Sequence, residues 1–337
     1  MDELGRSEAT KRTARGLFVM LALSAAISGC HAEPRRAASP RDVAAADQHP
    51  NSPHHHHGAL PPDIVARSAM PFHGLRVKDG TPLPPDELMD ALSEADAICV
   101  GEQHDNPHAH YAQLVVLDAL IDSARMTGRE LAIGFEMWQR PFQKDLDAYE
   151  AGETNEQELL EDSEWDERWG FDYAFYRPLV RHSRRARVPL IALNARRELT
   201  QKVARNGLSS LSEDEAREIP ELDLGDKQHR AWFDEVMKAH PSPHGPSDDI
   251  YVAQVVWDET MADTAARWLG KRLPARQIMI VAGEGHCRDH AIPARLRRRT
   301  GAKVIGVLPV VVSSDDEDPR GELEGFDYGV ILTPPNE

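Results

Sequence analysis

Two stretches decide how this chain folds: Asp96-Ala97-Ile98-Cys99-Val100-Gly101-Glu102-Gln103-His104 and Gln277-Ile278-Met279-Ile280-Val281-Ala282-Gly283-Glu284-Gly285-His286. In each, a short apolar run closes on glycine and then presents a carboxylate and an imidazole, so that a Gly-Glu-x-His phrase occurs twice. An apolar run bounded by glycine reads as a strand buried on both faces, as in a parallel sheet. Its carboxyl end then delivers ionisable groups to the rim of the sheet, where open α/β folds place their ligands.

Working outward, helical spacing covers Pro85 to Ala95 and His108 to Met126, the latter with Leu114, Leu117, Leu120 and Ile121 on one face. A second strand is expected at Glu130–Phe135 and a third at Val188–Leu193, with helical patterns at Pro141–Ala151 and Asp172–Arg187 between them. Helices come next at Arg196–Asn206, Lys227–Ala239 and Asp248–Leu273, then strands at Gln277–Ala282, Lys303–Val312 and Tyr328–Leu332. Strands separated by helices long enough to cross over imply an α/β fold, a mostly parallel sheet flanked by helices. The helical excess over residues 196–273 suggests a helical lobe inserted before the fourth core strand. Residues 69–337 are expected to form this single domain.

The residues just beyond each strand are the ones equipped for chemistry. The first strand delivers Glu102 and His104, with Asp105, Asn106, His108 and His110 close behind. The second ends in Glu136, the third in Asn194 with Arg196 and Arg197, and the fourth in Glu284 and His286 with Arg288. Parallel strands bring these ends to one edge. Glu102, His104, Glu136 and His286 are therefore candidate catalytic residues. The same four are candidate ligands for a divalent metal such as manganese, cobalt or zinc, which would activate water for hydrolysis. Paired carboxylates exchanging protons and a purely structural cluster are the other readings. Asp258 and Asp263, in the long late helix with Gln254 and Met261, belong to a mixed face that turns toward the cluster. Neither a complete dinucleotide-binding glycine fingerprint nor a Gly-x-Ser-x-Gly elbow occurs.

The amino-terminal residues set the compartment. Lys11, Arg12 and Arg15 precede an apolar stretch from Leu17 to Ile27, too short to span a membrane and suited to a signal peptide. Ile27-Ser28-Gly29-Cys30 resembles a bacterial lipobox, with Cys30 the lipidated residue of an exported protein. Residues 1–29 carry four basic and three acidic side chains, so the formal charge of −17 becomes −18 once they are removed. So acidic a body is a poor partner for nucleic acid or an anionic membrane surface, and attachment falls to the lipid. Residues 30–68, rich in Pro, Ala, Asp and His and including His54-His55-His56-His57, read as a disordered tether. Cys99 and Cys287 flank the repeated phrase; two buried thiols are favoured there over a disulfide.

Several of these segments together resemble the ChaN family of haem-binding lipoproteins. They are Gly101 to His110, Gly134-Phe135-Glu136-Met137, Tyr176-Arg177-Pro178-Leu179, Ile191-Ala192-Leu193-Asn194, Ala253-Gln254 through Asp258 to Ala262, and Gly283-Glu284-Gly285-His286. The resemblance spans roughly residues 85–310. It implies haem as cofactor, a tyrosine ligand, a homodimer enclosing paired haems, and a role in iron uptake at the cell envelope with an outer-membrane haem receptor as partner. A more distant resemblance to Tiki metalloproteases and erythromycin esterases implies use of Glu102, His104, Glu136 and His286. Among the tyrosines, Tyr173 and Tyr176 lie beside Trp165, Trp169 and Phe171, a neighbourhood suited either to a porphyrin face or to core packing. His182 and Arg181 on the next turn either meet haem propionates or form a solvated face.

Overall fold

A computed structural model describes residues 70–239, 248–270, 275–313 and 318–333. The leader, Cys30, the tether and its histidine run lie outside them.

The sheet contains β1 (Phe72–Arg76), β2 (Thr81–Leu83), β3 (Ala97–Glu102), β4 (Glu130–Gln139), β5 (Leu190–Asn194), β6 (Arg276–Gly283), β7 (Val304–Val311) and β8 (Tyr328–Leu332). Their order is β2-β1-β8-β7-β3-β6-β4-β5. From β8 to β5 every pairing is parallel, and β1 joins β8 and β2 antiparallel. The two strands that lead into the repeated phrase, β3 and β6, lie side by side at the centre, with Glu102 in register with Gly283. β3 is buried at every position and β6 at all but its first, as their unbroken apolar sequences require.

The helices are α1 (Pro85–Ser93), α2 (Pro107–Thr127), α3 (Gln143–Ala151), α4 (Glu156–Asp162), α5 (Trp165–Arg168), α6 (Arg177–Ala186), α7 (Arg197–Asn206), α8 (Glu213–Glu218), α9 (Lys227–Ala239), α10 (Asp248–Leu269), α11 (Glu284–Cys287) and α12 (Ile292–Thr300). One apolar core, including Leu88, Leu117, Tyr149 and Leu179, lies between the sheet and α1 to α6. The opposite core is filled by Met261, Ala265 and Leu269 of α10 and by Ile292 and Leu296 of α12. The mostly parallel α/β architecture is the one the sequence implies, as are α7, α9 and α10 between β5 and β6; α8 is an addition.

The departures are local. The β1–β2 hairpin is an addition, and β4 continues past Phe135 to Gln139 through a shift in its pairing with β5. The helix expected from Asp172 starts at Arg177, after a short 3-10 turn at Tyr173–Phe175. Cys99 and Cys287 are joined as a disulfide, not held as the two thiols expected. Pairing brings their Cα atoms to 5.2 Å, a juxtaposition two cysteines so distant in sequence do not reveal.

Candidate functional site

The carboxyl ends of β3, β4 and β6 meet, and the repeated glycines let them do so. A Cβ on Gly101 would stand 3.1 Å from the Glu284 Cα, and one on Gly283 would stand 3.0 Å from His104 Cε1. A side chain at either site would crowd its neighbour, which would have to give by a few tenths of an ångström, so glycine eases the approach of the two copies of the phrase.

Glu102, at the end of β3, is fully enclosed by donors. Its Oε1 accepts from Tyr176 Oη at 2.6 Å and lies 2.9 Å from His104 Nδ1; its Oε2 accepts from Gln113 Nε2 at 2.7 Å. His110, one turn into α2, places Nδ1 3.5 Å from the same carboxylate and Nε2 3.0 Å from the His104 carbonyl. Burial pushes the Glu102 carboxyl up, but the charges of His110 and His104 and the bonds from His104 and Tyr176 overrule it and bring it to about 2. The His104 ring is wedged by Trp169 and Phe171, with centroids at 4.7 and 4.9 Å. Burial lowers its pKa, yet the bond and charge of Glu102 win and hold it above the ordinary imidazole range.

Glu136 and His286 form the second half. Glu136 Oε2 accepts the Gly283 N–H at 2.7 Å, and its Oε1 stands 3.3 Å from His286 Nε2. The other ring nitrogen, Nδ1, is 2.6 Å from Asp258 Oδ1 on α10. Asp258 in turn reaches His229 Nε2 at 2.9 Å, and His229 Nδ1 lies 3.3 Å from Tyr251 Oη. The result is a relay of alternating imidazoles and carboxylates from α9 to β4. Burial would discharge His286, but Glu136 and Asp258, one at each nitrogen, raise it to about 10. Both carboxyls are pushed up by burial and pulled lower by the imidazoles, His286 foremost.

The four candidate residues thus converge at one rim. His286, with a carboxylate at each nitrogen, is held as the imidazolium, and that form has no lone pair to offer a cation. Among the described residues no group of three or more His, Cys, Asp or Glu is disposed to hold a metal. The manganese, cobalt or zinc reading of Glu102, His104, Glu136 and His286 therefore finds no support among the described residues. What the arrangement can do is hold charge at fixed atoms: an imidazolium at His286 and a carboxylate at Glu102.

The remaining sequence candidates are dispersed. Tyr176 is buried against Glu102, and Tyr173 is buried with its hydroxyl 3.1 Å from Glu156 Oε1. Burial first, then the neighbouring carboxylates, push both phenols well above their ordinary value. With Trp138 and Trp165 they form a packed aromatic core. His182 pairs with Asp118 at 2.9 Å on the outer surface of α6, and Arg181 with Glu156. Asn194 ties β5 to the Glu136 carbonyl. Asp258 turns inward, as its helix face suggested, whereas Asp263 pairs with Arg140 and Arg267. His229 escaped the sequence reading. Its signal is a fully buried histidine spaced with Phe233 and Met237 on one face of α9.

No curated protein matches the chain in sequence. Among solved structures it is similar to a Campylobacter jejuni ChaN described with cofacial haem binding, at 18% identity and TM-score 0.61 over 78% of this chain and 97% of that one. An erythromycin esterase variant in its open conformation is similar at 12% identity and TM-score 0.42, over 80% of this chain and 84% of that one. A Bacillus cereus protein is similar at 12% identity and TM-score 0.40, over 76% of this chain and 77% of that one. The ChaN likeness establishes a shared fold. A family model described as haem-binding uptake, Tiki superfamily, ChaN, matches residues 88–296, most of the folded domain, and the chain belongs to that family.

Proposed function

We propose that this protein binds haem at the bacterial envelope, tethered by lipid on Cys30 and serving haem or iron acquisition as a homodimer that exchanges haem with an outer-membrane receptor. Membership of a haem-binding uptake family carries this reading. The leader and lipobox support the location. Bound haem supplies an iron with axial positions to fill and two carboxylates to neutralise.

Tyr173 and Tyr176 would have to leave buried hydrogen bonds to reach that iron, and His182 to leave Asp118. Tyr111 fits better. It is partly exposed in the second turn of α2, at the rim, with a long 3.4 Å bond to the Met70 carbonyl as its tie. Burial raises its phenol, and an iron(III) ion compensates by stabilising the tyrosinate.

Titrating the protein without its leader with hemin tests the reading. A saturable Soret band with tyrosinate character is expected, lost in Tyr111→Phe and kept in Tyr173→Phe. Absence of any saturable band sinks the haem reading; a band that survives Tyr111→Phe moves the ligand elsewhere.

A further inference from the structure

Between Arg288 and Arg295, on the turn from α11 into α12, lie buried nitrogens with no hydrogen-bond partner: Arg288 Nε, His290 Nδ1, and Arg295 Nε and Nη2. Leaving a buried donor without an acceptor is costly, more so on a charged group, and folded proteins do it seldom. Arg295 is the sharpest case, at 1% exposure. Its Nη1 donates to the carbonyls of His290 and Ala291 at 2.5 and 3.2 Å, and its Nε stands 3.5 Å from Glu259 Oε1. Glu259 has little left to give. It already accepts from Arg298 at 2.7 and 2.9 Å, from Arg299 at 2.5 Å and from the Asp223 N–H at 2.9 Å. Arg298 also pairs with Asp223 at 3.1 Å and Arg299 lies 3.9 Å from Asp263, yet Arg295 Nη2 is left over.

The half-buried His290 ring packs on Trp232 and His229, with centroids at 5.4 and 5.5 Å, and Trp232 is partly exposed. We infer that this corner, between α9, α10 and α12, binds a carboxylate-bearing small molecule whose carboxylate accepts from Arg295 Nη2 and His290 Nδ1 while its body lies against Trp232. A planar two-oxygen acceptor matches one guanidinium and one imidazole. A phosphate dianion does not, because Asp226 and Asp258 also face His290 and repel a second negative charge. The same chemistry is offered by a free organic acid and by a haem propionate.

Proton linkage accompanies the geometry. The groups acting on His290 are His229, Asp258, Arg288 and Asp226; burial first, then His229, push the imidazole down to about 4. A carboxylate accepting from Nδ1 stabilises the protonated ring and raises that value, so binding takes up a proton and weakens as pH rises.

The test is an NMR titration of the histidine ring resonances with acetate, against chloride at equal ionic strength, with His290 assigned by its loss in His290→Gln. A saturable shift is expected, with His290 titration moved up by about one unit or more, a tenfold change in its protonation equilibrium. His290→Gln, at a half-buried position, and Arg295→Lys, checked for folding by circular dichroism, should each weaken acetate binding about tenfold or more as seen on Trp232 fluorescence. In a hemin-loaded sample, loss of the acetate effect identifies a propionate as the natural occupant, and persistence identifies a free acid. A His290 titration that acetate leaves unmoved, or a crystal structure with only water bridging Arg295 and His290, overturns the inference. The acetate arm uses no haem, so its failure leaves the haem reading standing.

Discussion

Asp258 and His286 face each other at 2.6 Å across the rim, the carboxylate fully buried on α10 and the imidazole on α11, and each supports the charge of the other. Removing the carboxylate leaves a buried imidazolium with half its support. Asp258→Asn is expected to cost about 3–5 kcal/mol, the range for breaking a buried pair by removing one partner. Asp122→Asn, which breaks an exposed pair with Arg125, should cost at most about 1 kcal/mol. Urea denaturation measures both, and equal midpoints for the two variants would show that the relay adds nothing to stability.

Stability should be greatest over a window of mildly acid pH. Glu102 is lowered from 4.5 to about 2, so its contribution is complete above 4.5 and is lost as pH falls through 2. His286 is raised from 6.5 to about 10, so its contribution is complete below 6.5 and is lost as pH rises through 10. The two overlap fully between those ordinary values. Thermal midpoints across the range should form a plateau there, and His286→Gln should flatten the alkaline limb alone.

Tyr176→Phe isolates the other half of the site. The substitution keeps the aromatic packing against Trp165 but removes the 2.6 Å bond to Glu102. The Glu102 carboxyl should titrate higher and the protein lose about 1–3 kcal/mol, as for a buried bond to a charged group. Carboxyl-carbon NMR reads the first and urea unfolding the second. Hemin uptake should be unchanged, which separates this tyrosine from an iron ligand.

So much of the sheet was legible, and so little of the site, because the sheet's signals are local and the site's contacts are not. β3 and β6 announce themselves because burial on both faces forces an unbroken apolar sequence. β4 hides its last residues because Glu136 and Gln139 are polar, and their burial depends on Gly283 and on Arg168 and Arg197, far away in the chain. The β1–β2 hairpin hides behind Gly74 and Pro82, residues that argue against a strand when read alone. Convergence of Glu102, His104, Glu136 and His286 is a consequence of parallel topology. That Glu102 is taken up by His104, Tyr176 and Gln113, and His286 by Glu136 and Asp258, is visible only in distances. Tyr176 shows the same limit: an aromatic among aromatics in sequence is, in space, the donor that fixes Glu102.

Loss of the disulfide should be severe. Cys99 and Cys287 are 188 residues apart, and opening so long a loop in the unfolded chain costs about 5 kcal/mol in the chain-entropy picture. Cys99→Ser with Cys287→Ser should lower the urea midpoint accordingly, while fully reduced wild type should unfold alongside the double variant. A double variant as stable as the oxidised protein would show that apolar burial alone holds β3 to α11.

That bond also has a covalent meaning apart from stability. It closes the polypeptide into a ring running from residue 99 to residue 287, and Glu102, His104, Glu136, Tyr176, His229, Asp258 and His286 all lie inside it. A single cut anywhere on that ring leaves the two pieces joined. Nicked protein should therefore migrate intact on a non-reducing gel and separate after reduction, with the whole site still on one molecule until then.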